Sequence, residues 1–139
     1  MKLSNVKYII VHCADTDQNI GVKAITRWHK DRGWNTVGYH YIVRRNGVIE
    51  KGRSEKVVGA HCYGFNRYSI GVCGVWKKKP TVESIASMRR LIEELHERYP
   101  KAEIRPHSYF PSAIKQGKTC PNYNLASFLR AGILPKRCG

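Results

Sequence analysis

Three residues far apart in the chain, His12, His107 and Cys120, are of types that bind a transition metal. His12 closes a short apolar run, Tyr8-Ile9-Ile10-Val11. His107 follows a second short stretch at 102–106, and Cys120 stands in Lys118-Thr119-Cys120-Pro121 beyond a loop. A buried strand ending in a His, with another His and a Cys near a later strand end, can converge at one rim of a sheet. Two imidazoles and a thiolate suit zinc. Three protein ligands leave the fourth tetrahedral position to water, the arrangement of a catalytic site, so the pattern points to a zinc hydrolase. Spacing alone leaves ordinary alternatives open. A His at a strand end is commonly a hydrogen-bonded structural residue, a Cys before Pro is commonly a small buried apolar one, and the three lack the compact pairing of a zinc ribbon.

The elements that must position these groups alternate along the chain. Residues 6–11 form a continuous apolar run, as expected of a strand covered on both faces. From Val22 to Arg32, Val22, Ile25, Trp28 and His29 share one helical face, with Gly33 as the stop. Tyr39 to Arg45, Asn46-Gly47 and Val48 to Lys51 read as a hairpin with a two-residue turn. Ser69 to Trp76 reads as a core strand whose glycines imply close backbone approach. Val82, Ile85, Met88, Ile92, Leu95 and Tyr99 predict a long amphipathic helix between Pro80 and Pro100. Ala102 to Pro106 is a short strand delivering His107, and Asn124 caps a last helix, Leu125 to Ala131, ending at Gly132. The expected fold is α/β: one domain over residues 1–139, with a central mixed β-sheet flanked by helices.

At 139 residues the chain is long enough for a core without staples. No stretch approaches the roughly 18 apolar residues of a membrane span, and charged residues in Met1 to Lys7 interrupt any signal-peptide core. Synthesis in a cytoplasm and a monomeric state are the expectations. Cys13, Cys62, Cys73, Cys120 and Cys138 are odd in number and lack framework spacing, which favours reduced thiols. The net charge of +15 is spread over the chain rather than gathered on one helix. It reads either as a solvated surface or as attraction to a polyanion, nucleic acid or the bacterial envelope.

Around the candidate ligands stand Val11-His12-Cys13-Ala14, Trp28-His29-Lys30, Gly33-Trp34, Val37-Gly38-Tyr39-His40-Tyr41 and Arg45-Asn46-Gly47. Gly59-Ala60-His61, Gly64-Phe65-Asn66, Ser69-Ile70-Gly71-Val72 and Lys118-Thr119-Cys120-Pro121 follow in order. This succession, over roughly residues 6 to 131, resembles the zinc-dependent N-acetylmuramoyl-L-alanine amidases, above all the amidase-type phage lysozymes that share a fold with animal peptidoglycan recognition proteins. The resemblance implies cleavage of the amide between N-acetylmuramic acid and L-alanine in peptidoglycan, an endolysin acting on the host wall. It implies Zn²⁺ held by His12, His107 and Cys120. It matches Tyr39 to proton transfer or orientation of the attacking water, and Lys118 to stabilising the oxyanion. His61 and Asn66 match a Gly-rich loop pattern and are expected to line the substrate pocket. His29 and His40 read as packed core histidines, with His40 facing away from Tyr39 by strand alternation, and Cys13 and Cys73 read as core.

Two further classes compete with the enzyme. A non-catalytic peptidoglycan-binding module would tend to lack the Cys ligand, which is present here as Cys120. A nucleic-acid-binding or RNA-polymerase-regulating protein is suggested by charge alone, with no motif to support it. Some phage relatives regulate a phage RNA polymerase, but the N-terminal arm here looks shorter and that activity is not carried over. The segment between His107 and Cys120 also looks longer than in the phage relatives, with Tyr109-Phe110-Pro111 near the site.

Overall fold

The computed structural model describes residues 5–34, 36–77 and 79–115. Lys118, Cys120 and the helix expected from Leu125 to Ala131 lie outside them. The first apolar run becomes strand β1 (Tyr8–Cys13), followed by helix α1 (Val22–Asp31), strands β2 (Tyr41–Val43), β3 (Ile49–Lys51) and β4 (Ser69–Gly74), helix α2 (Val82–Arg98), strand β5 (Glu103–Pro106) and a short helix α3 (Pro111–Lys115). The sheet runs β3-β2-β4-β1-β5. β1 lies parallel to both β4 and β5, β2 is parallel to β4, and only the β2–β3 hairpin is antiparallel. The sheet is therefore mixed, as the alternating pattern predicts.

Alternation along β1 divides the molecule into two packed layers. Ile9, Val11 and Cys13 face α2 and join Tyr41, Val43, Ile70, Val72, Met88, Ile92, Leu95 and Ile104 in the main core. Each such aliphatic side chain contributes about 1.5–3 kcal/mol on burial. Ile10 and His12 face the other way, toward α1 and the loop that precedes β4. There Ile25, Ile42 and Cys73 form one small cluster, and Ile10, Cys62 and Phe110 another.

Helix ends follow local chemistry. α1 starts at Gly21, which has no side chain to cap it, so Glu50 Oε1 on β3 accepts the Val22 amide at 2.8 Å. α1 closes in a Schellman arrangement, with the Gly33 amide on Lys30 O and the Trp34 amide on His29 O. α2 opens with a reciprocal capping box between Thr81 and Ser84.

The structure corrects four details. A two-residue type I′ turn needs positive φ at both Asn46 and Gly47, and only Gly47 has it, at +89°. Arg44 N–H instead bonds Val48 O, and Gly47 N–H bonds Arg44 O, both at 2.9 Å, giving a three-residue loop. Trp28 and Val82, placed by periodicity on apolar faces, are 41% and 82% exposed, because each sits at the margin of its helical stripe. The glycine of β4 that faces the site, Gly71, makes room for the His61 ring rather than for backbone: a Cβ there would stand 2.6 Å from His61 Cγ. Finally, Phe110 is buried against Tyr8 and Phe65, so the stretch after His107 folds as α3 around a core residue.

Candidate functional site

The parallel register of β1 and β5 builds the site. Val11 pairs with Pro106, so the next residues, His12 and His107, come side by side. Their ring centroids are 4.2 Å apart. His12 is buried and His107 partly buried, so one imidazole lies beneath the surface and the other at its rim. The expected third ligand, Cys120, and the expected Lys118 are outside the described residues. Among the described residues no group of three His, Cys, Asp or Glu side chains forms a metal site by itself.

Tyr39 flanks the pair. Its ring centroid is 5.1 Å from that of His12 and 5.4 Å from that of His29. Tyr39 and His40 precede β2 rather than belonging to it, so strand alternation does not apply to them. Both rings come near His61, with centroids 6.5 Å and 5.8 Å away. His40 is nonetheless a fully buried histidine, with Nε2 2.8 Å from Val57 O and Nδ1 accepting the Gly71 amide at 3.0 Å. His29 is likewise structural, its Nδ1 accepting the Gly38 amide at 2.8 Å. Cys13 and Cys73 are buried, as expected.

The loop residues are placed differently from a simple pocket lining. Asn66 Oδ1 accepts the amides of His61 and Cys62, each at 2.9 Å, and so closes the loop on itself. His61 lies against the sheet over Gly71 and touches His12, with His12 Nε2 and His61 Nδ1 2.9 Å apart. Its other nitrogen is 3.2 Å from Ser69 Oγ. In the sequence Ser69 stood only as the head of a core strand and the first residue of Ser69-Ile70-Gly71-Val72, with no role in the site. The available signal was a lone hydroxyl at the head of an otherwise apolar core strand.

Electrostatics favour the neutral form of His12 and His61. Burial pushes the His12 pKa well below its ordinary value, and the neighbouring His107 and His61 push the same way. Burial also lowers His61, helped by His40, His107 and Arg53. A neutral imidazole keeps the lone pair that a metal requires, so the donor set of His12 and His107 fits zinc.

Comparison with known proteins places the chain in a family. Residues 2–123 match the family described as N-acetylmuramoyl-L-alanine amidase. The endolysin of Enterobacteria phage K11 is 36% identical over 143 residues, covering 96% of this chain and 91% of that protein. The endolysin of Escherichia phage T7 is 39% identical over 127 residues, covering 84% and 81%. Among solved structures, the N-acetylmuramoyl-L-alanine amidase LysC from Clostridium intestinale superposes with a TM-score of 0.70 at 27% identity, covering 83% of this chain and 87% of that one. With the paired histidines in place and nearly the whole length matched, the chain belongs to the N-acetylmuramoyl-L-alanine amidases, zinc hydrolases that cut the bond between N-acetylmuramic acid and L-alanine in peptidoglycan.

Proposed function

We propose that His12, His107 and Cys120 hold the zinc of this amidase, that Tyr39 guides the proton of the attacking water, and that Lys118 steadies the oxyanion. The observation that carries the reading is the His12–His107 pair, set side by side by strand register with ring centroids 4.2 Å apart. Bound zinc lowers the pKa of water toward about 7 and polarises the scissile carbonyl. The chain supplies the rest. β1 and β5 fix the direction of the two imidazoles, and burial of His12 keeps its ring neutral and excludes competing water. Tyr39, half-buried beside His12, offers a phenol that can both donate and accept. A cation at Lys118 would favour the charge that develops on the carbonyl oxygen. Asn66 holds the loop bearing His61, a wall against which the stem peptide can rest.

We further propose that the protein is an endolysin: made in a cytoplasm, in a phage host's if phage-encoded, and acting on the wall after release. The name carried by the phage relatives supports this. A charge of +15 would favour approach to an anionic envelope.

Digestion of purified peptidoglycan followed by mass analysis tests the reaction. New amino termini on L-alanine with no new reducing ends are expected. A chelator should abolish hydrolysis and Zn²⁺ should restore it. Cys120→Ser should weaken metal binding, since a hydroxyl is a poor substitute for a soft thiolate. Full activity of metal-depleted protein would exclude the metal mechanism.

A further inference from the structure

The contacts of His61 leave neither of its nitrogens for a substrate. Ser69 Oγ lies 2.9 Å from Phe65 O, a carbonyl that can only accept, so the single hydroxyl proton of Ser69 points there. Toward His61 Nε2, 3.2 Å away, Ser69 Oγ must therefore accept, and His61 carries its proton on Nε2. In the neutral ring Nδ1 of His61 is then an acceptor, and its partner at 2.9 Å is Nε2 of His12, which must donate. The chain of bonds runs in one direction: His12 to His61, His61 to Ser69, Ser69 to Phe65. Ser69 is fully buried, and the His61 ring is seated over Gly71, where any side chain would displace it. The relay is thus built into the sheet.

We propose that His61 is a positioning residue. Held by Ser69, it accepts a hydrogen bond from His12 Nε2–H and so leaves the lone pair of His12 on Nδ1, free for the metal. The inference rests on the zinc reading above and deepens it. A partner on the far nitrogen of a ligating imidazole fixes its tautomer and ring orientation, and loss of such a partner typically weakens metal binding about 10- to 100-fold.

Long-range ¹H–¹⁵N correlation spectra of metal-free wild-type protein report the tautomers directly, without any variant. Both His12 and His61 should be protonated at Nε2. Zinc affinity, measured by chelator competition, should fall about 10- to 100-fold in His61→Phe and by less in Ser69→Ala, where the backbone of residue 69 still holds His61. In Ser69→Ala the backbone carbonyl of residue 69 still accepts from His61, so the Nε2–H tautomer should persist there. A His12 ring protonated at Nδ1 in the wild type would overturn the proposal. So would zinc affinities equal to wild type in both folded variants, with any defect confined to KM, which would return His61 to the substrate pocket. Failure of the wild-type protein itself to take up zinc would remove the zinc reading along with the relay. It is distinguishable from failure of the relay alone, in which wild type and variants bind zinc equally.

Discussion

Tyr39 and His29 are ring neighbours, yet their chemistry sends them to different tasks. His29 accepts the Gly38 amide, and burial, with Arg32 and Arg53 nearby, pushes its pKa down to about 4. The unfolded chain takes up that proton near pH 6.5, so it binds more protons than the folded state between about 6.5 and 4. The stability His29 contributes is therefore complete above about pH 6.5 and is lost as pH falls toward 4. Denaturant unfolding of metal-free protein across that range should show a decline to which His12, His40 and His61, also lowered by burial, contribute, and His29→Gln should make it shallower. A slope unchanged in the variant would assign the titration elsewhere. Tyr39, by contrast, is placed for turnover. Tyr39→Phe should lower kcat and kcat/KM together, by about 100-fold or more, with zinc content and melting temperature near wild type. Lys118→Ala should do the same. Near-normal turnover in either variant would remove that residue from the chemistry.

Elements differ in how plainly their sequence announces them, and the reason is how much of each is decided locally. β1 and β4 were legible as short apolar runs because strands covered on both faces tolerate little else, whereas β5, Glu103-Ile104-Arg105-Pro106, has one fully buried residue and was legible only by its place before His107. α2 was legible from its stripe, although Val82 escapes burial at the first turn. The Asn46-Gly47 turn was legible as a hairpin but not as its type, since loop length depends on where pairing starts on the two strands. His12 and His107 were legible as candidate ligands because of their chemical type, whereas their contact depends on β1–β5 register, which no local window contains. The placement of His61, on the loop before β4, depends on Gly71 and Ser69 within that strand. At this scale Thr81 offers a clean test. Its hydroxyl accepts the Ser84 amide at 3.0 Å and lies 2.6 Å from Arg45 O, so it caps α2 and ties it to the hairpin. Thr81→Ala should lower stability by about 1–2 kcal/mol in denaturant unfolding and leave zinc affinity alone. A drop in zinc affinity would mean that the two layers are coupled more tightly than their packing implies.

Taken as a whole, the molecule carries its charge spread along the chain, and Lys77 and Lys79 are exposed beyond β4. If this surface steers the enzyme, lysis of permeabilised cells should fall steeply with added salt, because screening shortens the reach of exposed charges to about 8 Å at physiological ionic strength. Hydrolysis of a small muramyl peptide should change much less. Neutralising Lys77, Lys78 and Lys79 together should mimic high salt on cells alone. Equal salt sensitivity on both substrates would place the important charges in the site. The two-layer sheet has one more consequence, which concerns quality control. β5 is an edge strand held by four paired residues, and a slip of one residue along a strand turns every side chain to the opposite face. A slipped β5 would turn His107 into the apolar layer under α2, and His12 would lose its partner. On the proposed ligand assignment, a misassembled molecule of this protein would be inert as well as unstable, and the capacity to take up metal would certify that β5 has paired in register with β1.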